Sequence, residues 1–361
     1  VILGYTGPIE SLTPDMAAGA ELAINEVSKS GALLGGAKVI SVRGDTTCTD
    51  SAAATAATER LVTADKINAI VGGDCSGVTT AMLQNVALAN GIVMISPSAT
   101  SPALSSVEDN GLFFRTAPSD ARQGQVLTAV LMDKGIKSAA LTYTNNDYGK
   151  GLANSIKTNF EKSGGKITIS AAHEDGKADY TAEVGALAAA GGDVLIVAGY
   201  LDQGGKGIIQ AALDTGAFER FVLPDGMIGD SLPMAIGKDL NGSFGTVPGT
   251  DSPGAAKFSE MAKAAGFKAG PFASESYDAA ALIMLAMQAA GSSDSKKFKD
   301  SVLDVANAPG TKIYPGELAK GLMILAKGGK IDYVGASAVE LIGPGESAGN
   351  YREILVSGGR N

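Results

Sequence analysis

The chain has 361 residues, 45% of them apolar and 19% charged, so it is long and apolar enough to form two folded domains. With 29 basic and 38 acidic residues the net charge is −9, which argues against nucleic acid and against an anionic membrane surface as partners. One histidine and two cysteines exclude zinc sites built from clusters of these residues, and we predict no metal site. The longest apolar stretches, such as 279–287, are too short to insert into the membrane as a spanning helix.

Helical segments of small apolar residues alternate along the chain with short strands rich in valine and isoleucine. This alternation predicts an α/β protein with buried parallel sheets and right-handed crossovers, and the length fits two such sheets. The predicted helix and strand pairs are 18–29 with 39–42, 52–63 with 69–72, 78–90 with 93–96, 123–134 with 139–143, 151–163 with 166–171 and 180–190 with 194–198. Further elements are predicted at 204–215, 221–223, 255–265, 277–290, 333–342 and 351–356.

Three loop segments, at 115–120, 245–250 and 327–330, are candidate linkers between domains. They predict that the chain crosses three times between two Rossmann-like lobes. Lobe I would contain residues 1–117 plus 250–328, and lobe II residues 118–249 plus 329–361. The carboxyl ends of both sheets would then face one cleft, where open α/β sheets bind ligands.

The two cysteines, Cys48 and Cys75, each follow a predicted strand and therefore fall at the same rim of the first sheet. This placement favours one structural disulfide and an oxidising compartment, with two unrelated free thiols as the alternative. The segment 73–77 also matches the G-x-C-x-G pattern of a nucleophile elbow, so a cysteine-nucleophile α/β hydrolase using Cys75 is a second hypothesis. Its only available base, His173, is expected on an exposed loop.

Signatures of nucleotide cofactors are incomplete in this sequence. The segment 199–207 has glycine spacing similar to a phosphate-binding loop, but Gly205 stands where that loop requires lysine. No G-x-G-x-x-G motif opens a helix after a strand. We therefore expect no cofactor and no enzymatic activity.

Polar side chains at the strand ends of the two lobes predict a ligand that carries two opposite charges. In the first lobe, Ser76 precedes a helix and the hydroxyl-rich segment 96–102 follows a strand, an arrangement that suits a carboxylate, although helix capping explains either one alone. In the second lobe, Tyr148, Tyr200 and Asp225 follow strands. An aspartate there can pair with an ammonium group while tyrosines cover the ligand, so the cleft is predicted to bind an α-amino acid; a simple turn is the alternative role for Asp225.

Short motifs spread over essentially the whole chain carry a family resemblance. They are 4–8, 19–20 with 23–26, Cys48 with Cys75, 94–100, 147–151 and 224–226. In this order and spacing they resemble periplasmic substrate-binding proteins of the branched-chain amino acid ABC transporter class, similar to the leucine/isoleucine/valine-binding proteins. The resemblance implies a type I periplasmic-binding-protein fold that closes on its ligand by hinge bending.

For the first lobe, the resemblance implies that Ser76 and Thr100 bind the α-carboxylate through hydroxyl and backbone N–H groups. The Ser98 carbonyl and the Thr100 hydroxyl would accept hydrogen bonds from the α-ammonium, and Ala99 would contribute a backbone contact.

For the second lobe, the resemblance implies that Tyr148 and Tyr200 cover the ligand and that Asp225 pairs with its ammonium. The family has glutamate at this last position, so the shorter Asp225 would make the contact directly or through a bridging water.

The side chain of the ligand is implied to contact two loops, 8–12 and 272–277, with Leu12 and Phe272 as apolar candidates. Glu10 and Glu275 lie in the same loops and are expected to be solvated charges at the rim. If either pointed inward, the ligand would be polar or cationic, since a buried carboxylate must be paired.

The function implied by the resemblance is that of an exported, periplasmic solute-binding protein whose signal peptide has been removed. It would capture an amino acid, branched-chain or related, and deliver it as a monomer to a membrane ABC permease. A ligand-sensing domain on the same fold is a third hypothesis.

Overall fold

The central strand of the larger sheet, Val194–Ala198, consists of five fully buried apolar residues, as expected for a strand covered on both faces. The structure, a computed structural model, describes residues 1–360. Five strands of this sheet are parallel, and the sixth is antiparallel at one edge. From edge to edge the strands are Tyr351–Leu355, Phe244–Pro248, Phe221–Leu223, Val194–Ala198, Ser138–Thr144 and Lys166–His173.

The first lobe contains a smaller sheet of three parallel strands. In spatial order they are Ala69–Val71, Val93–Ser96 and Phe113–Arg115. The pair Ile2–Leu3 and Gly44–Asp45 lies beside this sheet, because Ile2 also bridges to Gly72. The prediction of two α/β lobes with parallel sheets is confirmed.

Helices flank both sheets, and Ala273–Ala290 is buried along almost its whole length in the first lobe. Among residues 1–360 no helix combines the length and the hydropathy needed to cross a bilayer. The helices are Thr13–Ser30, Ser51–Thr63, Ser76–Met82, Leu88–Asn90, Asp120–Asp133, Asp147–Lys162, Thr181–Ala190, Gly204–Thr215, Ser231–Ile236, Pro253–Ala264, Ala273–Ala290, Ser295–Phe298, Val302–Ala306 and Leu318–Ala326. A π-helical turn, Leu83–Ala87, joins the third of these to the fourth.

The strand predicted at 39–42 is wrong, because this segment has no regular secondary structure. The Val39 N–H donates to the Ser28 hydroxyl at 2.9 Å, and that hydroxyl lies 3.2 Å from the Val39 carbonyl. The segment is thus tied to a helix side chain, and Ile40 is 85% exposed.

One predicted lobe boundary also differs from the structure. The strand Ile331–Tyr333 pairs in parallel with Thr311–Ile313, and the Tyr333 hydroxyl donates to Asp278 at 2.6 Å. Asp278 also accepts from the Ser337 N–H at 2.8 Å, so this stretch packs on the first lobe. The assignment of all residues from 329 onward to lobe II is therefore wrong for 331–337. The remaining pair of short strands is Leu341–Ile342 with Glu346–Ser347.

Candidate ligand-binding site

A narrow cavity lies between the two lobes, at the carboxyl ends of their strands. Five of the seven residues expected to bind the ligand line it, and Ala99 and Thr100 do not. The lining residues are Ile9, Leu12, Asp74, Cys75, Ser76, Ser98, Tyr148, Tyr200, Asp225, Gly226 and Phe272.

The first-lobe wall is built from hydroxyl groups that hydrogen bonds hold in fixed directions. Ser76 begins the helix Ser76–Met82, and its hydroxyl accepts from the Ser101 N–H at 3.0 Å. The Ser98 hydroxyl donates to the Asp74 carbonyl at 2.9 Å. The cavity wall is therefore ordered by the protein's own contacts.

Ala99 and Thr100 lie directly behind this wall and are buried. The Ala99 N–H donates to the Ser96 hydroxyl at 2.9 Å, and its carbonyl accepts from the Arg115 guanidinium at 3.1 Å. The Thr100 hydroxyl donates to Asp120 at 2.8 Å. The backbone contact implied for Ala99 stays a prediction, and its N–H is already bonded within the protein.

The second-lobe wall is centred on Asp225, which follows the strand Phe221–Leu223. The Tyr148 hydroxyl, from the first turn of its helix, donates to Asp225 at 2.5 Å and accepts from the Gly226 N–H at 3.1 Å. The Tyr148 and Tyr200 rings stack with centroids 5.1 Å apart. The buried Tyr200 hydroxyl has no hydrogen-bond partner among the described residues, so it can bond a ligand.

Asp225 and Asp120 form a buried pair of carboxyl groups beside the cavity, both exposed by 2% or less. Burial raises the pKa of both, and the charge of Asp225 raises the pKa of Asp120 further. Among the described residues neither makes a salt bridge. The nearby Arg115 guanidinium is 2.7 Å from the Glu346 carboxylate, so its charge is already paired.

Three apolar side chains, Ile9, Leu12 and Phe272, also line the cavity. Glu10 is exposed, as expected, and accepts from the Gly7 N–H at 3.3 Å. The expectation that Glu275 is a solvated rim charge is wrong. It is 3% exposed in the first turn of the helix Ala273–Ala290, and burial raises its pKa to about 8.

Cys75 lines the cavity but carries no thiol, because it forms a disulfide with Cys48. The predicted disulfide is confirmed, and the hydrolase hypothesis, which needs a Cys75 thiolate, is wrong. His173 is not on an exposed loop as expected but ends the strand Lys166–His173 and is 2% exposed. Its Nδ1 lies 2.8 Å from the Thr142 hydroxyl, and burial lowers its pKa to about 4.

Direct contacts between the lobes hold the cleft closed at its mouth. Asp202 of the second lobe accepts from the Ser11 N–H at 2.8 Å, and its own N–H donates to the Pro8 carbonyl at 3.0 Å. Lys268 of the first lobe forms an ion pair with Asp230 of the second. The structure is therefore a closed form of the two-lobed fold.

Comparison with known proteins identifies the class to which this fold and cleft belong. A family model described as "Periplasmic binding protein" matches residues 1–316. The Leu/Ile/Val-binding protein homolog 1 of Brucella melitensis is 31% identical over 299 residues, covering 81% of this chain and 78% of that protein. The leucine-, isoleucine-, valine-, threonine- and alanine-binding protein of Pseudomonas aeruginosa is 27% identical, covering 82% and 79%.

Solved structures show the same fold. A leucine-binding protein from Thermotoga maritima superposes with a TM-score of 0.83 at 22% identity, covering 99% of this chain and 95% of that one. A branched-chain amino acid transporter substrate-binding protein from Streptococcus pneumoniae, in complex with isoleucine, gives 0.80 at 23% identity over 99% and 95%. This chain belongs to the periplasmic binding protein family. Its role is that of a solute-binding protein.

Proposed function

We propose that this protein binds an α-amino acid with an aliphatic side chain in the closed cleft and presents it to a membrane ABC permease. The observation that carries the proposal is Asp225, a buried carboxyl group on the cavity wall that lacks a cationic partner among residues 1–360. A buried carboxylate is strongly destabilised unless it is paired, so an ammonium group is the complementary ligand group.

Two hydroxyl groups, one on each wall, support a carboxylate on the same ligand. The Ser76 hydroxyl of the first lobe accepts from a backbone N–H and keeps its own proton for a ligand, and the Tyr200 hydroxyl of the second lobe lacks a partner. A carboxylate that accepts from both would join the two lobes. An α-amino acid carries these two groups on one carbon.

The apolar lining formed by Ile9, Leu12 and Phe272 supports an aliphatic side chain over a charged one. Glu275, which would favour a cationic ligand if it faced the cleft, is not among the lining residues. Relatives with 27–31% identity are named for binding leucine, isoleucine and valine, which agrees with this wall.

The fold alone does not select the ligand, because a solute-binding protein from R. palustris that superposes with a TM-score of 0.79 at 19% identity was solved in complex with benzoate. Benzoate has a carboxylate and no ammonium, so it would leave Asp225 unpaired. We therefore favour amino acids over aromatic acids. We further propose a periplasmic location and a transport role without catalysis.

A thermal-shift screen of the ligand-stripped protein tests this proposal. Leucine, isoleucine and valine are expected to raise the melting temperature, since a ligand at a hundred times its Kd adds about 2.7 kcal/mol of stability. Benzoate and the amine-free analogue 4-methylpentanoate are expected to give little or no shift at the same concentration. Equal shifts with amino acids and amine-free acids, or shifts with basic amino acids only, would contradict the proposal.

A further inference from the structure

A second cavity, a groove with a volume of about 500 Å³, lies in the first lobe and shares no lining residue with the cavity between the lobes. Two apolar cores meet at this groove. Leu61 lines it from one core and Ile283 from the other, and Val1, which also lines it, packs against both. Any segment lying in the groove would therefore be covered by apolar side chains on two sides.

The groove occupies a gap between two backbone edges of the first lobe. The strand Ala69–Val71 pairs along one edge with Val93–Ser96, whereas its other edge meets the neighbouring pair of strands only where Ile2 bridges to Gly72. The segment 39–42 borders the groove on the opposite side and pairs with no strand. The sheet of the first lobe is thus interrupted at this place.

Val1 already forms the first step of a parallel ladder with the segment 39–42. Its amino group donates to the Val42 carbonyl at 2.9 Å, and its carbonyl accepts from the Gly44 N–H at 3.2 Å. Because Ile2 pairs with Gly44, residues joined to the Val1 nitrogen would continue this register opposite 39–42. The second of them, counted back from Val1, would donate to the Ile40 carbonyl and accept from the Val42 N–H.

The polar groups that such a strand would meet lack partners among residues 1–360. The Val42 N–H and the Ile40 carbonyl make no hydrogen bond, and neither does the buried Ser41 hydroxyl. The Val1 amino group forms no salt bridge, and burial lowers its pKa to about 6. Burial of an unpaired ammonium and of unpaired peptide groups costs free energy.

We propose that this groove is the seat of a parallel β-strand that runs in line with Val1 and is formed by residues joined to the Val1 nitrogen. The strand would lie between 39–42 and Ala69–Val71 and would make the interrupted sheet continuous. Because the groove is apolar on two sides, we expect a continuous apolar run in the strand. This inference goes beyond the solute-binding role, because it concerns the integrity of the first lobe.

The Val1 amino group favours a strand in line with Val1 over a separate chain. A free peptide or a second copy of the protein would leave the Val1 ammonium buried at the end of the groove. A strand continuous with Val1 replaces that ammonium by an amide, which keeps the bond to the Val42 carbonyl and carries no charge.

The test joins the tetrapeptide Lys-Ile-Val-Ile to the Val1 nitrogen and compares this variant with one that carries Gly-Ser-Gly-Ser at the same place. Both extensions convert the amine to an amide, so the difference between them reports the filling of the groove. The apolar extension is expected to raise the melting temperature by at least about 4 °C over the Gly-Ser extension, because burial of its apolar side chains outweighs the cost of ordering them. Hydrogen exchange of the Val42 amide, followed by NMR, should slow at least about tenfold.

Equal melting temperatures and equal exchange of the Val42 amide in the two extended variants would overturn the inference. If the Lys-Ile-Val-Ile variant aggregates, the shorter extension Val-Ile still places a carbonyl beside the Val42 N–H and must slow exchange of the same amide. Protection of Val42 in the unaltered protein that increases with protein concentration would show that a second copy occupies the groove, and this result would also overturn the inference.

Discussion

The backbone N–H of Ser11 donates to the Asp202 carboxylate at 2.8 Å, which ties the first loop of lobe I to lobe II. The other Asp202 oxygen accepts from the Ser231 hydroxyl at 2.6 Å, and the Asp202 N–H donates to Pro8. One half-buried aspartate therefore fixes both sides of the cleft mouth. Because these bonds join the lobes, they stabilise the closed form and add to the apparent affinity for a ligand that binds it.

Replacing Asp202 by alanine is expected to weaken ligand binding without unfolding either lobe. Loss of the bond to Ser11 would cost about 1–2 kcal/mol of closed-state stability, or a roughly five- to thirtyfold rise in Kd. Titration calorimetry measures the affinity, and small-angle scattering reports the fraction of closed molecules. Asp214→Ala, at an exposed position of the same lobe, is the control, and an equal loss in both variants would show that Asp202 does not act on closure.

Replacing Asp225 by asparagine is expected to lower the affinity for leucine by at least about thirtyfold, the low end of the cost of breaking a buried charge pair. The asparagine can still accept from the Tyr148 hydroxyl, which donates to Asp225 at 2.5 Å, so the wall of the cavity is retained. Calorimetric titration gives the affinity, and denaturant unfolding checks that the fold is intact. An unchanged affinity in a folded variant would remove Asp225 from ammonium recognition.

The disulfide between Cys48 and Cys75 is expected to contribute substantially to stability, since it closes a loop with a sequence separation of 27 residues. The loop-entropy relation gives about 3–4 kcal/mol for a loop of this length. The Cys48→Ser/Cys75→Ser double variant should lose about this free energy of unfolding in urea. A reductant should destabilise the unaltered protein by a similar amount and leave the double variant unchanged; a reductant effect on both would show that it acts elsewhere.

Glu275 is expected to make stability fall as pH rises, because burial raises its folded-state pKa from 4.5 to about 8. The carboxyl group is neutral when buried, so its contribution is complete below pH 4.5 and is lost as pH rises through about 8. The buried Asp278, with a pKa raised to about 6, adds a similar loss at lower pH. Burial lowers the pKa of the Val1 amino group to about 6 and that of His173 to about 4, and these two groups make stability rise with pH over part of the same range. The contribution of Glu275 is therefore the difference in slope between the unaltered protein and a variant without this carboxyl group.

The Glu275→Gln variant should lose the contribution of Glu275 to the pH dependence, so that its slope differs from that of the unaltered protein by up to about 1.4 kcal/mol per pH unit. Urea unfolding at several values between pH 6 and 8 measures it. Glu10→Gln, at an exposed position, is the control and should retain the slope. An equal slope in the unaltered protein and in the Glu275→Gln variant would show that Glu275 does not titrate in this interval.

The ends of the strands could be predicted from the sequence. In an α/β protein, a short continuous apolar run such as Val194–Ala198 is typical of a buried strand. Tyr200 and Asp225 directly follow such runs, so their place at the cleft followed from the pattern. The segment 39–42 is also rich in valine and isoleucine, but Val39 bonds the Ser28 hydroxyl and the segment pairs with no strand. The local pattern does not show this contact.

The burial of Asp120 and of Glu275 was not predicted from the sequence. Both lie at helix starts that the pattern placed a few residues too late, at 123 and 277, whereas the helices begin at Asp120 and Ala273. Asp120 then looked like part of a linker, and Glu275 like part of a solvated loop. Their burial results from the crossing between lobes, and local composition carries little information about it.

The central claim, that the cleft recognises an ammonium group as well as a carboxylate, is tested most directly by titrating the ligand-stripped protein with leucine and then with 4-methylpentanoate. The account predicts one saturable site for leucine and an affinity for 4-methylpentanoate that is lower by at least about thirtyfold, as expected when a buried carboxylate is left unpaired. Equal affinity for the two ligands would contradict it.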